Sequence, residues 1–531
     1  MSTRKSGATL NSQFETEMVV LAGKPPRRVN LLKSAPLGWS PVFLLGIIAL
    51  VDRADGSVLG AVSPLIKEEF GVSEFGIGIL LSAPSLAAIA LVALAGQLAD
   101  KANRKLLLTA VIGTWAVLSF ASAAAPTFFA LLIARILLGM ASPLGIPASA
   151  SLVGDLYTTK VRSTAFTILR GLEYFGLPLG TVLGAKIAEQ YGWRASFLVL
   201  GVPALLMALA TFLLFREPRR GLADEMTRLA SEIESETQNM TPDALENGET
   251  GQAEGPRISG PREISLVNEA ASVLDRSSEP SIDITDSAPI FTFKGIGKQF
   301  KEVLSIRTLR LLIIAQMLLF IAFAGLFATA VTYFTRTTSL SLANAGAITG
   351  AIGGAGLVLG AFLGAAIGDA LAKKKQSYRI TISALALGIS VPCLFFFVLA
   401  PEVPVKIGFF FVINLCNIIA LANLGAATAD VLPASRRGSG FAVSQLLITL
   451  GSAFGAFFVQ GIVSQTVVSV LGGETERSLR LGISIGVGSL LIPLLIGSLL
   501  LLKARSSYDQ DAAAALAEAK DGFATPSTPI H

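Results

Sequence analysis

Histidine is nearly missing from this chain: its one representative, His531, is the last residue. The body of the protein therefore has no imidazole for a catalytic triad, a zinc site or a proton relay. Cysteine is almost as scarce. Cys393 and Cys416 both sit in apolar blocks and form no metal motif or disulfide framework, so small buried packing residues are the expected reading. No GxxxxGK[ST] loop occurs, which argues against ATP-driven pumping. No general base partners a nucleophile in the apolar blocks, which argues against an enzyme, and nothing calls for a cofactor or metal. Charge is thin as well: 15% of residues are charged, where soluble domains carry about a quarter.

What the chain has instead is apolar length. Hydrophobic residues make up 52% of the 531, and the mean hydropathy is +0.66. They fall in long blocks, among them Pro41 to Pro64, Leu106 to Phe120, Leu311 to Ala330 and Ile485 to Leu502. A run of roughly 20 apolar residues crosses the hydrocarbon core as a helix. Bare backbone polar groups are not tolerated in lipid, so helix is the expected solution. Block lengths give about twelve spans, at 40–63, 75–98, 105–125, 127–153, 163–188 and 194–215, then 308–335, 343–368, 378–399, 404–430, 438–465 and 480–503. The expected fold class is an all-α membrane protein of two pseudo-symmetric six-helix bundles.

The expected organisation is a cytoplasmic tail (1–39), a first bundle (40–216), a linker (217–305), a second bundle (306–503) and a second cytoplasmic tail (504–531). The linker is acidic. Residues 221–290 hold 15 Asp or Glu against 4 Arg, inside a chain whose net charge is +5. Poor in aromatics and rich in Glu, Ser, Asp and Pro, it cannot bury enough apolar surface to fold, and disorder is expected. Phe291 to Ile306 mixes aromatics and lysines, as a short interfacial helix or a plain linker turn would. Lys and Arg concentrate in alternate short loops, at Lys101, Arg104, Lys105, Lys160, Arg162, Arg216, Lys373, Lys374, Lys375, Arg436 and Lys503 among others. That asymmetry places both termini and the linker on the cytoplasmic side, with the plasma membrane as the expected location. No cleavable signal is expected, because the first apolar block is too long for one. The basic excess is spread over short loops and does not indicate nucleic acid.

Two loops repeat. GQLADKANRKLLL runs from Gly96 to Leu108, and GAAIGDALAKKK from Gly364 to Lys375. In each an Asp is followed four and five residues on by basic residues: Asp100 by Arg104 and Lys105, Asp369 by Lys373 and Lys374. The same signal at the same place in each half indicates an internal repeat. The first loop resembles the loop signature of the major facilitator superfamily. Arg135 with Gly139 (RILLG) is similar to that family's fourth-helix motif, and GLPLGTVLG, Gly176 to Gly184, to its fifth-helix motif. More narrowly, VDRADGSVLGAVSPLIKEEFGVSE, Val51 to Glu74, resembles the Spinster-like branch, although Ser142 stands where that branch usually carries a glutamate. The resemblance implies the major facilitator fold, with the first and fourth helices lining a central cavity.

The chemistry of the loop is readable on its own. A carboxylate closing one helix faces bases opening the next, and Asp155 at the end of the fourth span offers a second acid. Gly96, Asp100, Arg104, Lys105, Asp155, Asp369 and Lys373 are candidates for a conformational latch that forms in one state and breaks in another; positive-inside anchoring is the blander alternative.

Deep in the spans lie six ionisable residues, all in the first half: Asp52, Arg53, Asp55, Arg135, Arg170 and Glu173. Such groups are costly in lipid and mark a pathway or a buried pair. At about 1.5 Å of rise per residue, Asp52 and Arg135 reach similar depth, and since the resemblance places the first and fourth helices on one cavity, it implies an Asp52–Arg135 pair. Glu173 is placed to meet Arg170 or to reach Arg135. Asp52 and Glu173 are the candidate proton carriers; Arg53, Arg135 and Arg170 are candidate partners for substrate or for the acids. Gly346, Gly350 and Gly354, then Gly360, Gly364 and Gly368, recur at helix-contact spacing in the eighth span and suit close packing. The expected function is a secondary transporter of a small molecule, proton-coupled and monomeric, working by alternating access. The alternative is a non-transporting membrane sensor with the acidic linker as its output, which deletion of 222–290 would silence while sparing a transporter's flux.

Overall fold

A computed structural model describes residues 38–101, 103–157, 159–215, 217–218, 301, 303–432 and 437–524. The expected linker, and most of the Phe291 to Ile306 segment, lie outside these residues. The described residues fold as helices, with no strand among them. In the first half these are α1 (Ser40–Phe70), α2 (Glu74–Lys101), α3 (Arg104–Ala123), α4 (Phe128–Leu156), α5 (Thr159–Tyr191) and α6 (Trp193–Leu214). In the second they are α7 (Arg307–Thr337), α8 (Leu342–Ala372), α9 (Tyr378–Leu399), α10 (Val403–Val431), α11 (Arg437–Ala456, continued through Phe457–Ser464 and Gln465–Val470) and α12 (Glu476–Ser489, then Leu491–Ala524).

Short junctions are set by local chemistry. Gly71 ends α1 in the left-handed conformation, φ 59°, which glycine adopts without a Cβ clash. Asn103, Thr127 and Ser341 cap α3, α4 and α8 through their side-chain oxygens. The helices overrun the spans expected from hydropathy. α1 continues past Pro64 to Phe70, and α12 runs to Ala524 rather than stopping near 503. That extension is packed, since Tyr508 is fully buried.

Among the described residues, ten helices are long and apolar enough to cross a membrane. The two full-length helices that are not among them, α1 and α5, carry Asp52, Arg53 and Asp55, and Arg170 and Glu173. Charge dilutes the hydropathy of the very helices that hold the candidate site. Leucines and phenylalanines such as Leu205, Phe212, Phe362 and Leu385 remain exposed, as lipid-facing residues should be.

The repeat is visible in the packing map. In the first half α1 packs on α5, α2 on α4, α3 on α6 and on α4, and α1 on α6. In the second half α7 packs on α11, α8 on α10, α9 on α12 and on α10, and α7 on α12. Each pairing is the first-half pairing moved on by six helices. The halves meet through α1 with α7, α2 with α11, and α5 with α8.

Candidate functional site

The six charges resolve into two clusters. In one, Arg135 of α4 is almost wholly buried, 2% exposed. Its Nη1 lies 2.7 Å from Asp55 Oδ2, and its Nε donates to Ser122 Oγ at 2.9 Å. The guanidinium stands 4.1 Å from the Phe197 ring centroid, a favourable cation–π placement. Ser119 Oγ donates to the other Asp55 oxygen at 2.8 Å. Asp52, one turn earlier, accepts a 2.8 Å hydrogen bond from Ser142 Oγ. A small pocket walled by Trp115, Leu138 and Leu200 lies beside both aspartates.

The expected Asp52–Arg135 pair is therefore replaced by Asp55–Arg135. Depth alone did not separate the two acids, because three residues of helix shift depth by only about 4.5 Å while turning the side chain to a neighbouring face. Ser142, the residue that departs from the branch pattern, is the one that meets Asp52.

In the second cluster Glu173 of α5 bridges two arginines. Arg53 reaches Oε1 from Nη2 at 2.6 Å and from Nε at 3.0 Å. Arg170 Nη1 reaches Oε2 at 2.6 Å. The Glu173 side chain is 9% exposed, but those of Arg53 and Arg170 are 44% and 48% exposed. Of the two partners expected for Glu173, Arg170 is present. Arg135 is engaged elsewhere.

A third cluster escaped the sequence reading. Glu74, first residue of α2 and 0% exposed, receives Arg336 of α7 at 2.9 Å, Lys67 of α1 at 3.3 Å, and Gln460 and Ser464 of α11 at 3.1 and 3.4 Å. Lys67 also meets Glu474 at 2.6 Å. Ser63 and Thr332 hydroxyls lie 3.1 Å apart, Phe75 stacks edge-on to Phe457, and Glu189 accepts the Ala343 amide. Gly346, Gly350 and Gly354 bring α8 onto Thr181, Pro178 and Ala185 of α5, while Gly360, Gly364 and Gly368 bring it onto α10. The polar contacts between the halves named here gather at the end where α1 turns into α2, while the α5–α8 glycine contacts run from that end down to Pro178. Two π-helical stretches, Ile348–Ile352 in α8 and Phe457–Ser464 in α11, lie at this seal. Such stretches mark functional regions of helices more often than ordinary ones. An acid in the first turn of a helix ordinarily reads as a dipole partner, which is why Glu74 drew no notice.

At the opposite end each half has its own ionic knot. Arg104, fully buried, donates to Asp155, to Ser151 at 2.9 Å, to Glu217 at 3.0 Å and to the Pro218 carbonyl at 2.9 Å. The Lys105 amide donates to Glu217 at 2.7 Å. Gly96 lies within α2, and the Asp100 side chain lies outside what the structure describes. In the second half Asp369 pairs with Arg379 at 2.9 Å rather than with the expected Lys373, which stays exposed. Arg379 also approaches Asp430 at 3.6 Å, and Tyr508 donates to Asp430 at 2.7 Å.

Fold and site thus define a polytopic helical membrane protein of two repeated halves with charge concentrated in one. The chain belongs to the Major Facilitator Superfamily, whose model matches residues 45–456. A solved bacterial homolog of the human lysosomal transporter Spinster, in an inward-facing and occupied conformation, shares the fold at TM-score 0.68 and 17% identity, over 88% of this chain and 97% of that one. Curated relatives include a 4-hydroxybenzoate transporter of Pseudomonas aeruginosa (27% identical over 36% of this chain and 42% of the relative) and the multidrug efflux pump LfrA of Mycolicibacterium smegmatis (32% over 32% and 33%). The sphingosine-1-phosphate transporter SPNS2 of mouse matches at 27% over 34% of each chain, in line with the Spinster-like resemblance. Each of these curated matches spans less than half of the relative's length.

Proposed function

We propose that this chain is a proton-coupled secondary transporter that moves a small molecule by alternating access. The observation that carries the reading is the one-ended seal. Among the described residues, the polar contacts between the halves gather around Glu74 at one end, and the charged clusters of α1, α4 and α5 lie beyond it. A rocking motion that broke the Glu74 cluster and brought the opposite ends together would expose the same charges to the other side. Loop charge assigns the sealed end to the outside and both termini to the cytoplasm, so the conformation is open to the cytoplasm of a cell whose plasma membrane holds the protein. A monomer contains both halves and needs no second copy to form the path.

Asp52 and Glu173 are the proton carriers in this reading. Asp52 is favoured by its partners: Asp55 and Glu173 each form an ion pair with arginine, whereas among the described residues Asp52 has a hydrogen bond from the Ser142 hydroxyl and no ion pair closer than 4 Å. The Arg104–Asp155–Glu217 knot, with Lys105, and the Asp369–Arg379–Asp430 knot act as latches that re-form as the halves rock. The names of the relatives range from an aromatic acid through drugs to a lipid, so they support transport without selecting a cargo. The test is uptake or efflux in proteoliposomes under an imposed pH gradient. Wild type should respond, and the Asp52→Asn/Glu173→Gln double variant should lose the response; undiminished gradient-driven flux in the double variant would end the reading.

A further inference from the structure

The two membrane clusters have complementary charge. Asp52, Asp55 and Arg135 together are one negative charge from neutral. Arg53, Arg170 and Glu173 together are one positive charge from neutral. Uncompensated charge is costly inside the bilayer; taken singly the two clusters are incomplete in opposite senses, and together they balance.

The positive cluster also faces the gap between the halves. Arg53, Gly60 and Lys67 recur every seven residues and share one face of α1. Gly60 packs against Ala328 of α7, and Lys67 meets Glu74 and Glu474. Arg53 therefore continues, on the open side, the face that forms the seal. On α5, Tyr174, Pro178, Thr181 and Ala185 follow helix spacing; the last three meet α8, and Tyr174 is exposed. Arg170 lies one turn before Tyr174. On α7, the level reached by counting back seven residues from Ala328 is flanked by Phe320 and Phe323, partly exposed with ring centroids 6.1 Å apart.

We propose that Arg53 and Arg170 bind the carboxylate of a monoanionic organic substrate, beside Glu173, with its apolar body toward Tyr174 and the α7 phenylalanines. Glu173 shows what the arginines are arranged for, since each of its oxygens is taken by a different guanidinium. Guanidinium donors fit carboxylate oxygens in plane, and such charge-assisted bonds are strong. Glu173 uses Nε and Nη2 of Arg53 and Nη1 of Arg170, which leaves donors on both for a second acceptor. It also sets the valence: two arginines and one glutamate accept one further negative charge.

This inference rests on the proposed proton coupling for its consequence. With neither ligand bound the clusters sum to zero, and with one proton and one carboxylate bound they sum to zero again. With either alone they carry a net charge. Only the empty and doubly loaded carriers then cross cheaply, which makes one proton move with one anion.

The experiment uses the purified full chain in detergent, with no gradient. Binding of benzoate, phenylacetate and octanoate is compared with that of their amides and of octyl phosphate, by calorimetry and thermal shift. At least one carboxylate should bind about tenfold or more tightly than its amide. Arg53→Gln and Arg170→Gln should each weaken it by a similar factor, while Arg53→Lys and Arg170→Lys, which keep the charge, recover part of it. Glu173→Gln should shift preference from benzoate toward the dianion phthalate. Equal binding of acids and amides, binding unchanged in both glutamine variants, or a preference for octyl phosphate would each overturn the assignment. Because binding is read without a gradient, it can succeed while pH-driven flux fails, or the reverse, so the two proposals fail separately.

Discussion

The two halves repeat one packing map and differ in what they bury. In the first, α1, α4 and α5 hold arginines and carboxylates at mid-depth. In the second, the equivalent region holds neutral groups: Gln316 donates to Thr428 at 2.7 Å, Asn414 to a carbonyl of its own helix, Ser390 to Asn417 at 3.2 Å, and Asn423 to the Gly364 carbonyl, while the Asn417 amide nitrogen has no partner among the described residues. Buried amides with partners fasten helices at modest cost, whereas buried charges are retained where they are used. On the proposed function, one half carries the chemistry and the other supplies a body to move against.

The contrast can be broken at its strongest point. Arg135→Met leaves Asp55 buried with only Ser119, and should cost about 3–5 kcal/mol, read as a large loss in thermal unfolding; the Asp55→Asn/Arg135→Met double variant should recover much of that stability. Less drastic is Glu74→Gln, which removes the charge that Arg336 and Lys67 converge on. Charge-assisted bonds are worth about 1.5–3 kcal/mol each, so the sealed end should open at least about tenfold more often. Spin labels at the exposed Tyr191 and Val470 would then show a longer distance population, and an unchanged distribution would mean that packing alone holds the seal.

Smaller again is Tyr508→Phe, which removes one hydrogen bond to Asp430 and should cost about 1 kcal/mol. Smallest of all, the Gln316→Leu/Thr428→Val double variant replaces both partners of a buried bond. It should change stability by less than about 1 kcal/mol and leave flux intact. A loss of transport there would show that the second half also contributes chemistry.

The helices were readable because lipid imposes one solution on a long apolar run. Their ends were less so, since Phe70 and Tyr508 lie where hydropathy has already fallen. Which residues are charged in the membrane was also plain, but not which acid meets which base. That choice depends on rotation about a helix axis, and Asp52 and Asp55 differ by one turn. The second-half latch was misaligned for a simpler reason. Asp369 and Lys373 mimic the spacing of Asp100 and Arg104, yet Arg379 follows Arg104 at the same interval as Asp430 follows Asp155. The base that matters sits ten residues beyond Asp369, across a longer loop. The Glu74 cluster draws on α1, α2, α7 and α11, and no local pattern announces a contact of that kind.

Ser63 and Thr332 offer the most direct test, because their hydroxyls touch across the α1–α7 seal. In a Ser63→Cys/Thr332→Cys variant, oxidation should lock the halves at the sealed end and stop transport, and reduction should restore it. Full transport by the cross-linked protein would contradict a carrier that must open there.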